Sequence, residues 1–203
     1  MDGQLRLQSA TIKNGKEKMR KIVVFNLVTL DGYFAGQDGD ISWHNVDAEF
    51  NEFAIEKVKA GNTLLFGRVT YELMAGFWPT PEAIKRDPIM AERMNNLPKI
   101  VFSRTLDRVE WNNTRLVKAD MLSEVRKMKQ ESGTNMTILG SGSIISQLAQ
   151  HELIDEYQLL VNPVVLGKGK SMFQGLRDKL ALKLTKSRIF GNGNVLLHYE
   201  PAV

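Results

Sequence analysis

A glycine-rich turn at residues 140–143 is the part of the chain whose residue types most directly suggest chemistry. An apolar run, Met136–Leu139, leads into Gly140–Ser143, and a pattern typical of an amphipathic helix follows. Glycines let the main chain approach a ligand closely. The first N–H groups of a helix have no intrahelical partner and lie at the positive end of the helix dipole. The turn therefore predicts a phosphate site; an ordinary strand-to-helix turn with a serine N-cap is the alternative.

Two well-known phosphate motifs do not fit the sequence. The dinucleotide fingerprint G-x-G-x-x-G requires a third glycine where this chain has Ile145. Residues 167–171, GKGKS, resemble the end of a P-loop, but a valine stands where that motif needs its first glycine. The turn at 140–143 is therefore an anion site of another kind, if it is one.

Composition excludes several other classes of chemistry. The chain has no cysteine, so it has no disulfide, no thiol nucleophile and no cysteine-bound metal. The serine-nucleophile pattern G-x-S-x-G is absent. The three histidines, His44, His151 and His198, show no metal-ligand spacing, so we expect no metal.

The net charge of +4 is concentrated in the first twenty residues, which hold five basic and two acidic side chains. The remainder is nearly neutral and has no basic stripe with interleaved aromatic residues, so we expect no nucleic-acid binding. No apolar run approaches the roughly 20 residues of a membrane span. We predict a disordered or tag-like extension at 1–19, with Met19 as an alternative translation start, and one cytoplasmic domain at 20–203.

Hydrophobic periodicity and turn residues predict an α/β sheet that ends in an antiparallel hairpin. The hairpin turn is Gly191–Gly193. Residues 31–46 read as a polar loop, and residues 76–88 read as a proline-containing loop with at most a turn of helix. The predicted strands are 21–30, 63–66, 99–103, 114–118, 135–139, 156–161, 180–190 and 194–200, and the principal predicted helices are 47–60, 68–75, 121–132 and 141–150.

Five segments occur in an order that resembles the dihydrofolate reductase superfamily. They are LDGYFAG, LLFGRVTYE, KIVFSRTL, ILGSGSI and NPVVLGKGKSMF, and together they span about residues 20–200. The chain is most similar to the branch that contains the reductase domain of riboflavin-biosynthesis enzymes, the RibD C-terminal domain. The resemblance implies a three-layer αβα fold with a mostly parallel central sheet and a C-terminal antiparallel hairpin. It also implies a homodimer.

The resemblance places an NADPH site on three segments of this chain. It implies that Gly67, Arg68 and Thr70 contact the cofactor phosphates, and arginine suits a phosphate's oxygen face. It implies that Ser103 and Arg104 border the adenosine 2′-phosphate. The pyrophosphate would lie on Gly140, Ser141, Gly142 and Ser143.

The substrate side is carried by residues 31–47 and by one later tryptophan. The resemblance implies that Asp31 or Asp47 is the catalytic carboxylate, while a strand-terminating turn and a helix N-cap are the ordinary alternatives. Tyr33, Trp43 and Trp78 offer stacking surfaces, which favours a planar pyrimidine- or pterin-like substrate. His44 is a further group with a suitable titration range for proton transfer.

We therefore expect an NADPH-dependent reductase, most nearly of the 5-amino-6-(5-phosphoribosylamino)uracil reductase type. The zinc-deaminase signatures H-x-E and C-x-x-C are absent. The alternatives are a dihydrofolate reductase-like enzyme with another substrate and a non-catalytic NADPH-binding protein, because a fold does not determine a function. A nucleic-acid binder acting through the basic tail is a third possibility.

Overall fold

The computed structural model describes residues 19–202, so the predicted extension, apart from Met19, lies outside the described residues. The strands are β1 Ile22–Thr29, β2 Tyr33–Ala35, β3 Thr63–Gly67, β4 Lys99–Phe102, β5 Thr114–Val117, β6 Met136–Leu139, β7 Glu156–Asn162, β8 Lys170–Ser171, β9 Leu182–Ile189 and β10 Val195–Pro201. The helices are α1 Ala48–Lys59, α2 Arg68–Phe77, α3 Pro81–Arg86, α4 Pro88–Asn96, α5 Met121–Gln130 and α6 Gly142–Gln150.

Eight strands form one sheet in the order β5-β4-β3-β6-β1-β7-β10-β9. The first six are parallel, whereas β10 runs antiparallel to β7 and β9 antiparallel to β10. The central strands are continuous apolar runs, as expected for parallel strands that are covered on both faces. The carboxyl ends of β4, β3 and β6 consequently lie side by side at one edge of the sheet.

Helices cover both faces of this sheet, which gives the predicted three layers. On one face α2 and α4 pack on Phe66 and Val101, and α1 packs nearby on Leu160. On the other face α5 and α6 pack on Leu65 and Ile138, which are fully buried. The predicted αβα fold with a mostly parallel sheet and a terminal hairpin is confirmed.

Two short strands and one helical pair differ from the sequence prediction. The loop predicted at 31–46 contains β2, which pairs with β8 in a separate two-stranded ribbon. The proline-containing loop at 76–88 contains α3, and the turn predicted just after it is the start of the nine-residue α4. Both helices begin with a proline in the first turn, after a capping Thr80 and a capping Asp87. Proline at that position starts a helix rather than breaking one.

A buried lysine supports the amino end of the sheet. Lys99 is 1% exposed, and its ammonium donates hydrogen bonds to the carbonyls of Met94, Asn95 and Leu97 at 2.9, 3.1 and 2.6 Å. It also lies 4.4 Å from the centre of the Trp111 ring. These carbonyls end α4, where the helix dipole favours a cation, so Lys99 joins the helix end to β4.

Across residues 19–202, no helix is long and apolar enough to cross a membrane.

Candidate functional site

A large cleft opens at the carboxyl edge of the parallel strands and continues beneath α1. Its volume is about 2250 Å³, and its walls include the ends of β3, β4, β5 and β6 and the first turns of α2 and α6. In open α/β sheets, ligands bind outside the carboxyl ends of the strands. This volume exceeds the usual ~300–1,000 Å³ of a small-molecule pocket, so there is room for two ligands side by side.

Two reciprocal hydrogen bonds join the turns that begin α2 and α6. The N–H of Gly67 donates to Ser141 Oγ at 2.9 Å, and the N–H of Ser141 donates to Thr70 Oγ1 at 3.0 Å. Ser141 is 7% exposed and takes a left-handed conformation with φ of 58°. We call these two bonds the Ser141 link (Gly67, Thr70 and Ser141). The link holds the amino ends of the two helices next to each other.

Gly140 allows the two turns to approach closely. Its φ is +61°, and a Cβ atom added there would lie 3.0 Å from Thr70 Cγ2. Its N–H donates to Asn26 Oδ1 at 2.6 Å, which connects the turn to β1. A larger residue would therefore be strained in its backbone and crowded against α2.

The first turn of α6 has donors that no described group uses. Because the hydroxyl of Ser141 accepts from Gly67, it does not cap its own helix. Within residues 19–202, the N–H groups of Gly142 and Ser143 have no acceptor among the backbone and side-chain hydrogen bonds. Gly142 and Ser143 both line the cleft, so an anion placed there would meet two donors and the positive end of the dipole.

Basic side chains lie along the carboxyl edge of the parallel strands. Arg68, Arg104 and Lys118 line the cleft from the ends of β3, β4 and β5, and all three are exposed. Arg68 pairs with Glu72 at 2.9 Å, and Lys118 lies 3.6 Å from Asp107. Ser103 Oγ accepts from the N–H groups of Thr105 and Leu106 and lies 3.3 Å from the Thr105 hydroxyl. Two helix amino ends and three cations therefore lie along one edge of the cleft, where they could hold an anionic ligand.

Lys118 was missing from the cofactor residues that the sequence suggested. It follows β5, the strand next to β4, and lines the same wall as Ser103 and Arg104. A basic residue at the end of a predicted strand was a usable signal, but its relevance depends on the strand order, which the sequence did not provide.

The two candidate catalytic carboxylates are both engaged by the main chain. Asp31 accepts from the N–H of Gly167 at 2.8 Å and from the Thr29 hydroxyl at 2.6 Å, and these bonds hold its pKa below the usual value. Asp47 caps α1 by accepting from the N–H of Phe50 at 2.8 Å. Neither residue is among those lining the cleft. That either acid is catalytic therefore stays a prediction.

The structure brings one of the three candidate aromatic residues to the cleft. Trp78 lines it, while Tyr33 packs against Gly169 and Trp43 donates to the Asp40 carbonyl at 3.2 Å. The phenylalanine rings along the cleft were not among the candidates that the sequence suggested: Phe25, Phe34, Phe50, Phe53, Phe77 and Phe102. Most of them lie in predicted strands or helices and look like ordinary core residues in the sequence, whereas Phe34 and Phe77 lie in the two predicted loops.

Comparison with known proteins agrees with this architecture. Residues 20–196 match the RibD C-terminal domain. The chain belongs to the RibD C-terminal domain family. It is 30% identical over 185 residues to the uncharacterized protein YyaP of Bacillus subtilis, covering 90% of this chain and 96% of that protein. The resemblance to this family that the five sequence segments indicated is confirmed.

Solved structures support the fold. The diaminohydroxyphosphoribosylaminopyrimidine deaminase/5-amino-6-(5-phosphoribosylamino)uracil reductase of Thermotoga maritima is 17% identical with a TM-score of 0.66, covering 91% of this chain and 57% of that one. Dihydrofolate reductase from Enterococcus faecalis, complexed with NADP(H), is 17% identical with a TM-score of 0.61, covering 90% of this chain and 97% of that one. This RibD C-terminal domain therefore has a dihydrofolate reductase-like fold.

His44 is the titratable ring on the cleft wall of this RibD C-terminal domain. It packs edge-on against Trp43, with the two ring centres 4.6 Å apart. Its Nε2 atom is buried, and no described group hydrogen-bonds to it. Burial lowers the pKa of His44 to about 4, although Asp40 opposes the shift. The neighbouring Asn45 is tied to Asn162 and to the β9–β10 turn, so the ring is held in place.

We expect the Ser141 link to carry measurable stability. Ser141→Ala removes the acceptor for the buried Gly67 N–H and should lower the free energy of unfolding by about 1–3 kcal/mol. Ser143→Ala is the matched control, because Ser143 lies in the same turn with an exposed side chain. Urea denaturation measures the free energy of unfolding of both variants. Equal losses in the two variants would remove the proposed role of the link.

His44 should make stability depend on pH. Its folded pKa of about 4 lies below the ordinary value of 6.5, so between these values the unfolded chain binds more protons than the folded chain. Stability should fall as the pH drops through this window, by up to about 3 kcal/mol in total. His44→Gln should flatten this slope in denaturation measured from pH 7 to pH 4. The exposed His151→Gln should leave it unchanged, and a slope unaffected by His44→Gln would contradict the prediction.

Proposed function

We propose that this protein is an NADPH-dependent reductase that transfers hydride to a pyrimidine- or pterin-like substrate. The observation that carries the proposal is the paired amino ends of α2 and α6, held by the Ser141 link beside Arg68, Arg104 and Lys118. Anion-binding groups at three neighbouring strand ends match the several phosphates of a single cofactor better than they match an isolated anion.

In this proposal each anion-binding group contacts one of the phosphates of NADPH. The donors of Gly142 and Ser143 face the pyrophosphate, with Arg68 adding charge from the opposite turn. Ser103 and Arg104 receive the adenosine 2′-phosphate, and the Lys118 side chain stands beside them. A cation at that phosphate makes the site selective for NADPH over NADH.

The apolar part of the cleft beneath α1 is the proposed substrate pocket. Phe53, Phe77 and Trp78 line it together with Phe25 of β1, and these side chains are only partly buried. Aromatic walls with accessible faces suit a planar heterocycle. The solved reductases of this fold named above act on a pyrimidine or on dihydrofolate, which supports the same choice. The most specific form of the proposal is reduction of 5-amino-6-(5-phosphoribosylamino)uracil.

In this proposal NADPH, when bound, supplies the hydride. The chain contributes geometry: the aromatic walls orient the substrate ring, and the apolar lining excludes water. Asp40 and His44 line the cleft, and the neutral imidazole of His44 carries one N–H proton. Hydrogen bonds from Ser42 hold the pKa of Asp40 below its usual value, so that carboxylate is ionised at neutral pH and acts as an acceptor.

The test is cofactor binding followed by turnover. We expect NADPH fluorescence to report binding at about 100 μM or below. The phosphoribosylaminouracil should then oxidise bound NADPH, and dihydrofolate would do so in its place if the substrate is a pterin. Arg104→Ala should raise the Kd for NADPH about tenfold and leave the Kd for NADH unchanged, because only NADPH carries the 2′-phosphate.

Arg108→Ala is the matched control for that substitution. Arg108 is an exposed arginine of the same loop that pairs with Glu110 and does not line the cleft. Equal weakening of NADPH and NADH in Arg104→Ala would remove the 2′-phosphate role. NADPH binding without oxidation by either substrate would favour a non-catalytic NADPH-binding protein, and absence of binding would overturn the cofactor proposal.

We also propose that the protein is a homodimer joined through the β9–β10 end of the sheet. β9 is an edge strand, and seven of its eight residues are exposed. Leu184 and Ile189 are 49% and 77% exposed. In the strand register they lie on the same face as Leu159, Val161 and Leu197, which are partly buried. A contiguous apolar face of this kind is typical of an interaction surface.

Ile189→Lys tests the dimer. A charge within an apolar contact should convert the dimer to a monomer in sedimentation velocity experiments. Thr185→Lys is the control, because Thr185 is the extra residue at the irregularity between β9 and β10 and has no partner in the strand register. A dimer that survives Ile189→Lys, or a monomeric wild-type protein at about 50 μM, would contradict the assignment.

A further inference from the structure

Asn26 is a buried amide within an otherwise apolar stretch of β1. The strand reads IVVFNLVT, and Asn26 is 4% exposed where it lines the cleft. Parallel strands that are covered on both faces are ordinarily apolar, and a buried amide costs free energy unless its polar atoms find hydrogen-bond partners. The reason for an amide at this position must therefore lie in the contacts that the side chain makes.

The Asn26 side chain extends the pairing of β1 with β6 by one residue. The strand register pairs Phe25 with Leu139 and ends there, so the next residues in line are Asn26 and Gly140. At this point the chain leaves the sheet, because Gly140 takes a φ of +61°. The Gly140 N–H then donates to Asn26 Oδ1 at 2.6 Å. A side-chain oxygen thus supplies the acceptor that the main chain of β1 would supply if the pairing continued.

The other end of the amide has a weaker partner. Asn26 Nδ2 donates to Met172 Sδ at 3.0 Å, and Met172 is 2% exposed. A thioether sulfur is a weak acceptor and cannot donate, whereas the Gly140 N–H can only donate. These two neighbours therefore fix which end of the amide faces the turn, and the contact with Gly140 is the stronger one.

Three neighbours hold the turn that begins at Gly140. The Ser141 link joins it to α2. The ring of Phe34 lies against it from another side, since a Cβ atom added to Gly142 would be 3.1 Å from Phe34 Cε1. Asn26 supplies the third contact, from β1, at the residue where the turn starts. The turn is therefore set in place before any ligand binds.

The two free donors of the turn follow directly after this anchored glycine. They are the N–H groups of Gly142 and Ser143, for which residues 19–202 provide no acceptor. Glycine restricts φ and ψ very little, so a rotation at an unanchored Gly140 would redirect both donors. We propose that Asn26 is a positioning residue for the cofactor: by holding Gly140, it aims these two N–H groups at the pyrophosphate of NADPH. This inference rests on the proposed reductase function.

Asn26→Leu tests the role, because leucine has a similar size and no acceptor for Gly140. The Kd for NADP⁺ should rise about tenfold, since the loosened turn must be ordered when the pyrophosphate binds. The Kd for adenosine 2′-monophosphate should stay unchanged, because that molecule carries the 2′-phosphate and no pyrophosphate. Competition with NADPH fluorescence on the full-length protein measures both ligands, and a general loss of structure would weaken both.

Met172→Leu is the matched control. It removes the sulfur at the other end of the amide and keeps the Gly140 contact, so both Kd values should stay within about twofold of wild type. Asn26→Ser is the second variant if Asn26→Leu does not fold. Its side chain adds no bulk, and its hydroxyl is one bond short of the position of the amide oxygen, so we expect the same selective loss of NADP⁺ affinity.

Several outcomes would overturn the role of Asn26. They are wild-type affinity for NADP⁺ in the Asn26 variants, equal weakening of both ligands, and a tenfold loss of NADP⁺ affinity in Met172→Leu, which would assign the effect to packing. If NADP⁺ does not bind to the wild-type protein, the reductase proposal fails separately. Inorganic pyrophosphate is then the probe: binding that Asn26→Leu abolishes supports Asn26 as the residue that positions the turn for an anion, and absence of binding to wild type overturns it.

Discussion

The pair of hydrogen bonds between Ser141 and the first turn of α2 is the constraint on which the cleft depends. Two helix amino ends repel each other electrostatically, since each carries a partial positive charge. Here they are held side by side by the Gly67 N–H and the Thr70 hydroxyl, both at hydrogen-bonding distance from Ser141. A dianionic phosphate placed between them relieves that repulsion. The same geometry that is unfavourable without an anion therefore favours binding one.

Much of the fold was predictable from the sequence, because the long central strands and the helices that cover them have clear periodicity. The β9–β10 hairpin was identified from Gly191–Gly193, and α1 from its capping Asp47. The ribbon of β2 and β8 was not predicted from the sequence, because strands of three and two residues have no measurable period and depend on a partner far along the chain. Helix α3 and the start of α4 were predicted as a loop because of their prolines, which in the structure lie in the first turns of these two helices.

The residues of the candidate site also fall into two groups, those with a local sequence signal and those that depend on the tertiary structure. The tight turn at Gly140 was recognisable from the sequence because its φ of +61° and its close approach to Thr70 favour glycine. Positions defined by tertiary placement were not. Phe53 reads as a core residue of a predicted helix, and Phe77 reads as part of a proline-containing loop. Asp31 looked like a catalytic acid, yet its carboxylate accepts hydrogen bonds from the chain near Gly167, a contact that no local pattern reveals.

The left-handed backbone at Ser141 has a consequence for what can occupy that position. A non-glycine residue in this conformation costs about 1–2 kcal/mol, so the backbone alone would favour glycine, as at Gly140 next to it. Glycine, however, has no hydroxyl to accept the hydrogen bond from Gly67. The alternating glycines and serines of residues 140–143 are therefore not interchangeable small residues. One position is selected for absence of a side chain and the next for a single oxygen atom, and exchanging the two would lose both properties.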